Sequence, residues 1–187
     1  MDILVLKEKW LNKRNIILIV ILLIMIIVAI SLFFILNKIK KDKLKPISFS
    51  SSDSSISLSA PSEYEFSVIE DDSYLLLLKS QTTGSSIYVS ETSATNVRDI
   101  SKFIEYDKND YISKFPNISQ VSDITELTVQ GLPTYNYNFH YKENMYVDVY
   151  WILKDSKFII IDFNINKKDK IDLSSHVTEI LNSLKLN

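Results

Sequence analysis

A run of 21 residues, Ile16 to Leu36 (IILIVILLIMIIVAISLFFIL), carries no charge, and Ser31 is its one polar side chain. At 1.5 Å per residue a helix of that length spans roughly 31 Å, the hydrocarbon thickness of a bilayer. A helix also satisfies every backbone polar group inside such a segment. The run predicts one membrane-spanning helix, and the rest of the chain is ordered around it. Residues 1–15 read as a short basic cytoplasmic tail and 16–36 as the span. Residues 37–54 read as a lysine-rich juxtamembrane segment and serine-rich tether, and 55–187 as one domain.

The run is too long for a cleaved leader, whose apolar core has about 7–15 residues and ends at small residues. Here the apolar stretch is followed by Asn37-Lys38-Ile39-Lys40-Lys41, with no such site and no Cys for lipid attachment. An uncleaved anchor is expected. Trp10, among Lys7, Lys9, Lys13 and Arg14, sits where an interfacial anchor belongs.

Direction rests on flanking charge and on the segment beyond the span. Four basic residues precede the span, and Lys38, Lys40, Lys41, Lys43 and Lys45 come closely after it, a near balance that leans against an external domain. Long domains translocate largely regardless of that bias, and the stretch Ile47 to Ser55 (ISFSSSDSS) suits a flexible stalk. The expected topology is single-pass in the cell membrane, N-terminus cytoplasmic and C-terminal domain extracytoplasmic.

The charges are unevenly shared. Through Pro46 there are nine Lys or Arg against three Asp or Glu, a net +6, whereas from Ile47 onward there are twelve against twenty, a net −8. An acidic domain is poorly suited to phosphate backbones, so no nucleic-acid partner is expected. The absence of Cys removes disulfides, thiol nucleophiles and Cys-based zinc sites. Gly84 and Gly131 are the only glycines, too few for a phosphate-cradling loop. No G-x-S-x-G or S-x-x-K set with its partner motifs occurs. His140 and His176 would need carboxylates from elsewhere to hold zinc, and Glu70-Asp71-Asp72 lacks the spacing of a calcium loop. No catalytic residue, metal site or cofactor is assigned, and the chain is read as a non-enzyme.

After residue 55 the pattern is one of strands. Ile56 to Ala60 stops at Pro61; Tyr64, Phe66 and Val68 alternate; Tyr74 to Leu78 is a buried run; and Ser86 to Ser90 completes a hairpin. A helix is expected from Asn96, with Asn96 and Asp99 as a capping box and Pro116 as its stop. Four more strands come next: Ile124 to Val129, Tyr135 to Tyr141, Met145 to Leu153 and Lys157 to Asn164. A last helix, capped by Asp172, buries Leu173, Val177, Ile180, Leu181 and Leu184. Hairpin connections without βαβ alternation predict an α+β domain, helices packed on a largely antiparallel sheet.

Several segments resemble the PsbP-like family, whose fold is shared with a yeast Ran-binding nucleotide-release factor. They are Ser55-Ile56-Ser57-Leu58-Ser59-Ala60-Pro61-Ser62-Glu63-Tyr64, Val129-Gln130-Gly131-Leu132-Pro133-Thr134-Tyr135, the long hairpin Tyr146 to Asn164, and the closing Ile180-Leu181-Asn182-Ser183-Leu184. Tyr64 stands where many members carry Trp. The resemblance implies a PsbP-like fold over about residues 55–187 and, as in Gram-positive members, an extracytoplasmic domain on a lipid or single-helix tether. It transfers no catalytic motif, and the namesake's photosystem role is not implied.

Tyr135, Tyr137, Tyr141, Tyr146, Tyr150 and Trp151 form the candidate binding face, since tyrosines on alternate strand positions stack on sugars or anchor interfaces. Tyr150 and Trp151, being adjacent, point to opposite faces of a regular strand. The expected function is a membrane-anchored binding module of a bacterial cell envelope. Its expected partners are the lipid bilayer through residues 16–36 and an envelope protein, peptide or glycan. The alternative is a regulatory or assembly factor that acts through its span on a membrane complex.

Overall fold

The computed structural model describes residues 3–43, 45–67, 74–142, 144–167 and 173–187. The chain divides into two compact units, Met1–Lys45 and Pro46–Asn187. The first is one 41-residue helix, α1 (Ile3–Lys43). Its apolar stretch, Asn15–Lys38, is long and apolar enough to cross a membrane, and none of it is buried inside the protein. Helical geometry thus extends beyond the apolar run into both basic flanks.

The second unit is α+β. In chain order it comprises β1 (Pro46–Ser50), β2 (Ile56–Pro61), β3 (Tyr64–Phe66), β4 (Tyr74–Ser80), β5 (Ser86–Ser93) and α2 (Ile100–Ser113). After α2 come β6 (Ile118–Ser119), β7 (Thr125–Val129), β8 (Leu132–Tyr141), β9 (Met145–Lys154), β10 (Lys157–Asn166), α3 (Leu173–Ser183) and β11 (Lys185–Leu186). An antiparallel eight-stranded sheet runs β3-β4-β5-β10-β9-β8, and the far side of β8 pairs with both β6 and β7. A smaller sheet runs β1-β2-β11.

Two apolar layers clothe the large sheet. On one face α2 brings Ile104 and Phe103 onto Tyr137, Phe139, Val147, Val149, Trp151 and Phe158. On the other, the small sheet and α3 cover Leu76, Leu78, Ile87, Val89, Ile152, Ile161 and Phe163, with Leu58, Val177, Ile180 and Leu181 among the covering side chains. Strict alternation along β9 and β10 feeds both layers, which is why these strands read as continuous apolar runs.

Tight turns set the register. Asp155 and Ser156, both left-handed at φ 49° and 65°, join β9 to β10 as a two-residue hairpin loop, and Gln130-Gly131 (φ 51° and 82°) does the same for β7 and β8.

Three expectations are corrected. The serine-rich segment is no flexible tether: Pro46–Ser50 is a strand paired with β2, placing Phe49 opposite Leu58, both buried, and Ser48 and Ser50 opposite Ser59 and Ser57. The turn between them is pinned by Asp53, whose Oδ1 accepts from the Ser51 hydroxyl (2.6 Å), the Ser55 hydroxyl (2.8 Å) and the Ser55 N–H (3.0 Å). Next, α2 starts at Ile100 rather than Asn96, because Asp99 is itself the N-cap and accepts from the Lys102 N–H. Lastly, β6 and β11, two residues each, pair at sheet edges where the sequence pattern shows no strand. The turn Glu70-Asp71-Asp72, Val68 and the cap Asp172 lie outside the described residues.

Candidate ligand-binding cleft

The six aromatic candidates do not share a face. Cross-strand partners place Tyr135 opposite Trp151, Tyr137 opposite Val149 and Tyr141 opposite Met145, all on the α2 side. There Tyr137 and Trp151 are core, each 1% exposed, with Phe103 edge-on to Trp151 at 5.9 Å. Tyr146 and Tyr150 leave the opposite face, toward the layer that contains α3. A regular strand forces this partition. The six therefore divide into four on the α2 side, with Tyr137 and Trp151 buried and Tyr135 and Tyr141 partly exposed, and a pair that lines a cleft.

That cleft has a volume of about 370 Å³ and is lined by His140, Tyr146, Asp148, Tyr150, Lys167, Val177 and Thr178. β9 supplies Tyr146, Asp148 and Tyr150 at alternate positions, β8 supplies His140 opposite Tyr146, and α3 supplies Val177 and Thr178 as a wall. The His140 and Tyr146 rings meet edge-to-face at 5.1 Å, and Tyr150 meets Phe163 in the same way at 5.8 Å. A larger hollow of about 480 Å³ at Ser50, Ser52, Phe66 and Tyr74 holds no buried carboxylate among the described residues.

Asp148 gives the cleft its chemistry. It is buried, and its two oxygens accept from Asn136 Nδ2 (2.6 Å) and the Tyr150 hydroxyl (3.0 Å). Burial pushes its carboxyl above the ordinary range, against the pull of those two donors. Burial and the Asp148 charge push the Tyr146 phenol up to about 12, and the same two causes raise Tyr150. His140 is held below its ordinary value by burial and by the Lys167 charge. At neutral pH the site presents a neutral imidazole and two protonated phenols around the recessed Asp148 carboxyl group, with the Lys167 side chain exposed at its rim.

Reading the aromatics alone passes over Asp148. Its signal is nevertheless in the sequence: a lone acid within Met145-Tyr-Val-Asp-Val-Tyr-Trp-Ile-Leu153, a strand otherwise apolar on both faces. Asp162 carries the same signal within Phe158-Ile-Ile-Ile-Asp-Phe163 on β10. It lies on the α2 face in register with Val149, and burial pushes its carboxyl up to about 7. His176 lies on α3 and is partly exposed. Among the described residues no group of three or more His, Asp or Glu can hold a metal ion.

No family model and no curated protein matches the chain by sequence. Solved structures do match in fold. Cyanobacterial PsbP from Synechocystis sp. PCC 6803 is similar over 77% of this chain and 94% of its own, with a TM-score of 0.58 and 9% identity. The Ran-binding protein Mog1p of Saccharomyces cerevisiae is similar over 76% and 96%, at 0.54 and 10%. LpqN, involved in cell envelope biogenesis of Mycobacterium tuberculosis, is similar over 81% and 95%, at 0.52 and 14%. At such identities the likeness is one of fold: an antiparallel sheet with helices gives the chain a PsbP-like fold, preceded here by an apolar N-terminal helix.

Proposed function

We propose that the chain is a single-pass membrane protein of a bacterial cell envelope, with its PsbP-like domain held on the extracytoplasmic side as a non-catalytic binding module. Its ligand site is the cleft over Asp148. The carrying observation is a buried carboxylate that lines an open cleft and forms no ion pair among the described residues. Burying such a group is expensive, and a ligand that pairs with it recovers the cost. The apolar helix supports the anchor, and the envelope role of LpqN supports the compartment. The partner is an envelope protein, peptide or glycan, with no nucleic acid involved.

The test is a photo-crosslinking phenylalanine placed at Tyr146 in intact cells, compared with the same residue at Tyr106, which is 76% exposed on α2. A discrete adduct from Tyr146 that is absent from Tyr106 is expected. Identical adducts from both positions, or none from Tyr146, contradict a ligand site in the cleft.

A second reading, regulation or assembly of a membrane complex through α1, is favoured by the uncovered apolar surface of that helix. Exchange of residues 1–45 for an unrelated anchor separates the two. The first reading keeps the Tyr146 adduct after the exchange, and the second loses it.

A further inference from the structure

Tyr146, Asp148 and Tyr150 occupy alternate positions of one strand, so a carboxylate lies between two phenol rings on a single face. A carboxylate has about four acceptor directions. Asp148 uses two of them, one per oxygen, for donors that are both neutral. Its side chain is 7% exposed, and no Lys, Arg or His forms a salt bridge with it among the described residues. Lys167 reaches the rim of the same cleft without pairing with Asp148, and its side chain is exposed. Among the described residues, the interior of the cleft thus offers unused acceptor directions on the Asp148 carboxyl group and the mouth offers the Lys167 ammonium.

An ammonium group fits the interior. Its N–H bonds reach the unused directions on Asp148, its charge compensates the carboxylate, and a cation against tyrosine faces gains further attraction. A bare cation would meet Lys167 on entry, whereas a ligand that also carries an anion meets an attractive rim. Resting on the reading that this cleft is a ligand site, we propose that it takes a small zwitterion: an ammonium group on Asp148 between Tyr146 and Tyr150, and an anionic group on Lys167. Two sources share this chemistry, an amino acid or short peptide, whose two termini together carry both charges, and an aminoalkyl phosphate headgroup.

Calorimetric titration of the full chain in nonionic micelles tests it, with four probes: alanine, phosphoethanolamine, ethanolamine and inorganic phosphate. At least one of the two zwitterions binds, and about tenfold or more tighter than ethanolamine or phosphate, the worth of one charge-assisted contact. Asp148→Asn, which keeps the side-chain shape, weakens that zwitterion by about tenfold or more. Lys167→Gln, at an exposed position, reduces the zwitterion to the affinity of ethanolamine and carries the test even where Asp148→Asn disturbs the fold. Binding of alanine alone assigns the amino-acid source, and binding of phosphoethanolamine alone the headgroup source. No binding of either zwitterion at millimolar concentration overturns the inference, as does binding unchanged in both variants. An adduct at Tyr146 with no zwitterion binding leaves the cleft a ligand site and removes only this ligand class.

Discussion

Tyr150 and Trp151 are sequence neighbours with opposite duties. Trp151 is enclosed beneath α2, so Trp151→Ala is expected to cost about 3–5 kcal/mol in urea unfolding. Tyr146→Ala, at a partly buried cleft wall, costs well under half of that. Equal losses would show that the two faces are not divided as described. Tyr137 is buried, and its hydroxyl has no well-formed hydrogen bond beyond a weak approach to the Trp151 indole N–H. Tyr137→Phe therefore changes stability by no more than about 1 kcal/mol in either direction, and a larger loss would reveal a strong partner for that hydroxyl. Asp162 gives a pH signature. Burial holds its folded pKa at about 7 against an ordinary 3.8, so the folded state keeps its proton longer than the unfolded chain does. Stability then falls as pH rises across that interval. Asp162→Asn shrinks the drop in urea midpoint between acidic and neutral pH, and an undiminished drop would contradict the assignment. At this scale alternation alone separated Tyr150 from Trp151. What it left unread was the lone acid in each apolar strand, because a list of aromatics does not ask where a buried charge finds its partner.

Among the elements, the β1–β2 hairpin was the least legible. Serines in Ile47 to Ser55 suggest flexibility, yet Ile47-Ser-Phe49-Ser and Ile56-Ser-Leu58-Ser both alternate with period two, and that alternation governs the fold. Asp53 is held down to about 2 by the Ser51 hydroxyl and then by the Ser55 N–H and hydroxyl. Its contribution is present above the ordinary carboxylate range and lost as pH falls through about 2. Asp53→Ala is expected to speed amide exchange at Ser55 and Ile56 at neutral pH while the rest of the domain stays protected. Unchanged exchange would mean that the strand pairing alone holds the turn. The closing helix has a similar long-range support: Gln130 Nε2 donates to the carbonyls of Leu181 (3.0 Å) and Asn182 (2.9 Å). Gln130→Asn keeps a residue tolerant of φ 51° but shortens its reach, and should cost about 1 kcal/mol. The pair Gln130-Gly131 was readable as a turn; the contact with a helix some fifty residues later was not, since only the packed sheet brings them together.

For the whole molecule, the α+β class was legible because strand alternation and helix spacing are periodic, and the apolar helix because its run is unbroken; the likeness to cyanobacterial PsbP bears out the fold. Orientation rests on weaker physics: basic residues flank the apolar run on both sides, and the acidic charge lies beyond them. The proposed function depends on it, since a binding module of the envelope must face outward. The chain has no native Cys, so single cysteines report its topology cleanly. The decisive measurement is labelling of intact cells by a membrane-impermeant thiol reagent, with one cysteine at Lys9 or one at the exposed Tyr106. Labelling is expected at Tyr106→Cys, with none at Lys9→Cys until the cells are opened. Labelling at Lys9→Cys with Tyr106→Cys protected would place the domain inside and contradict an outward-facing module.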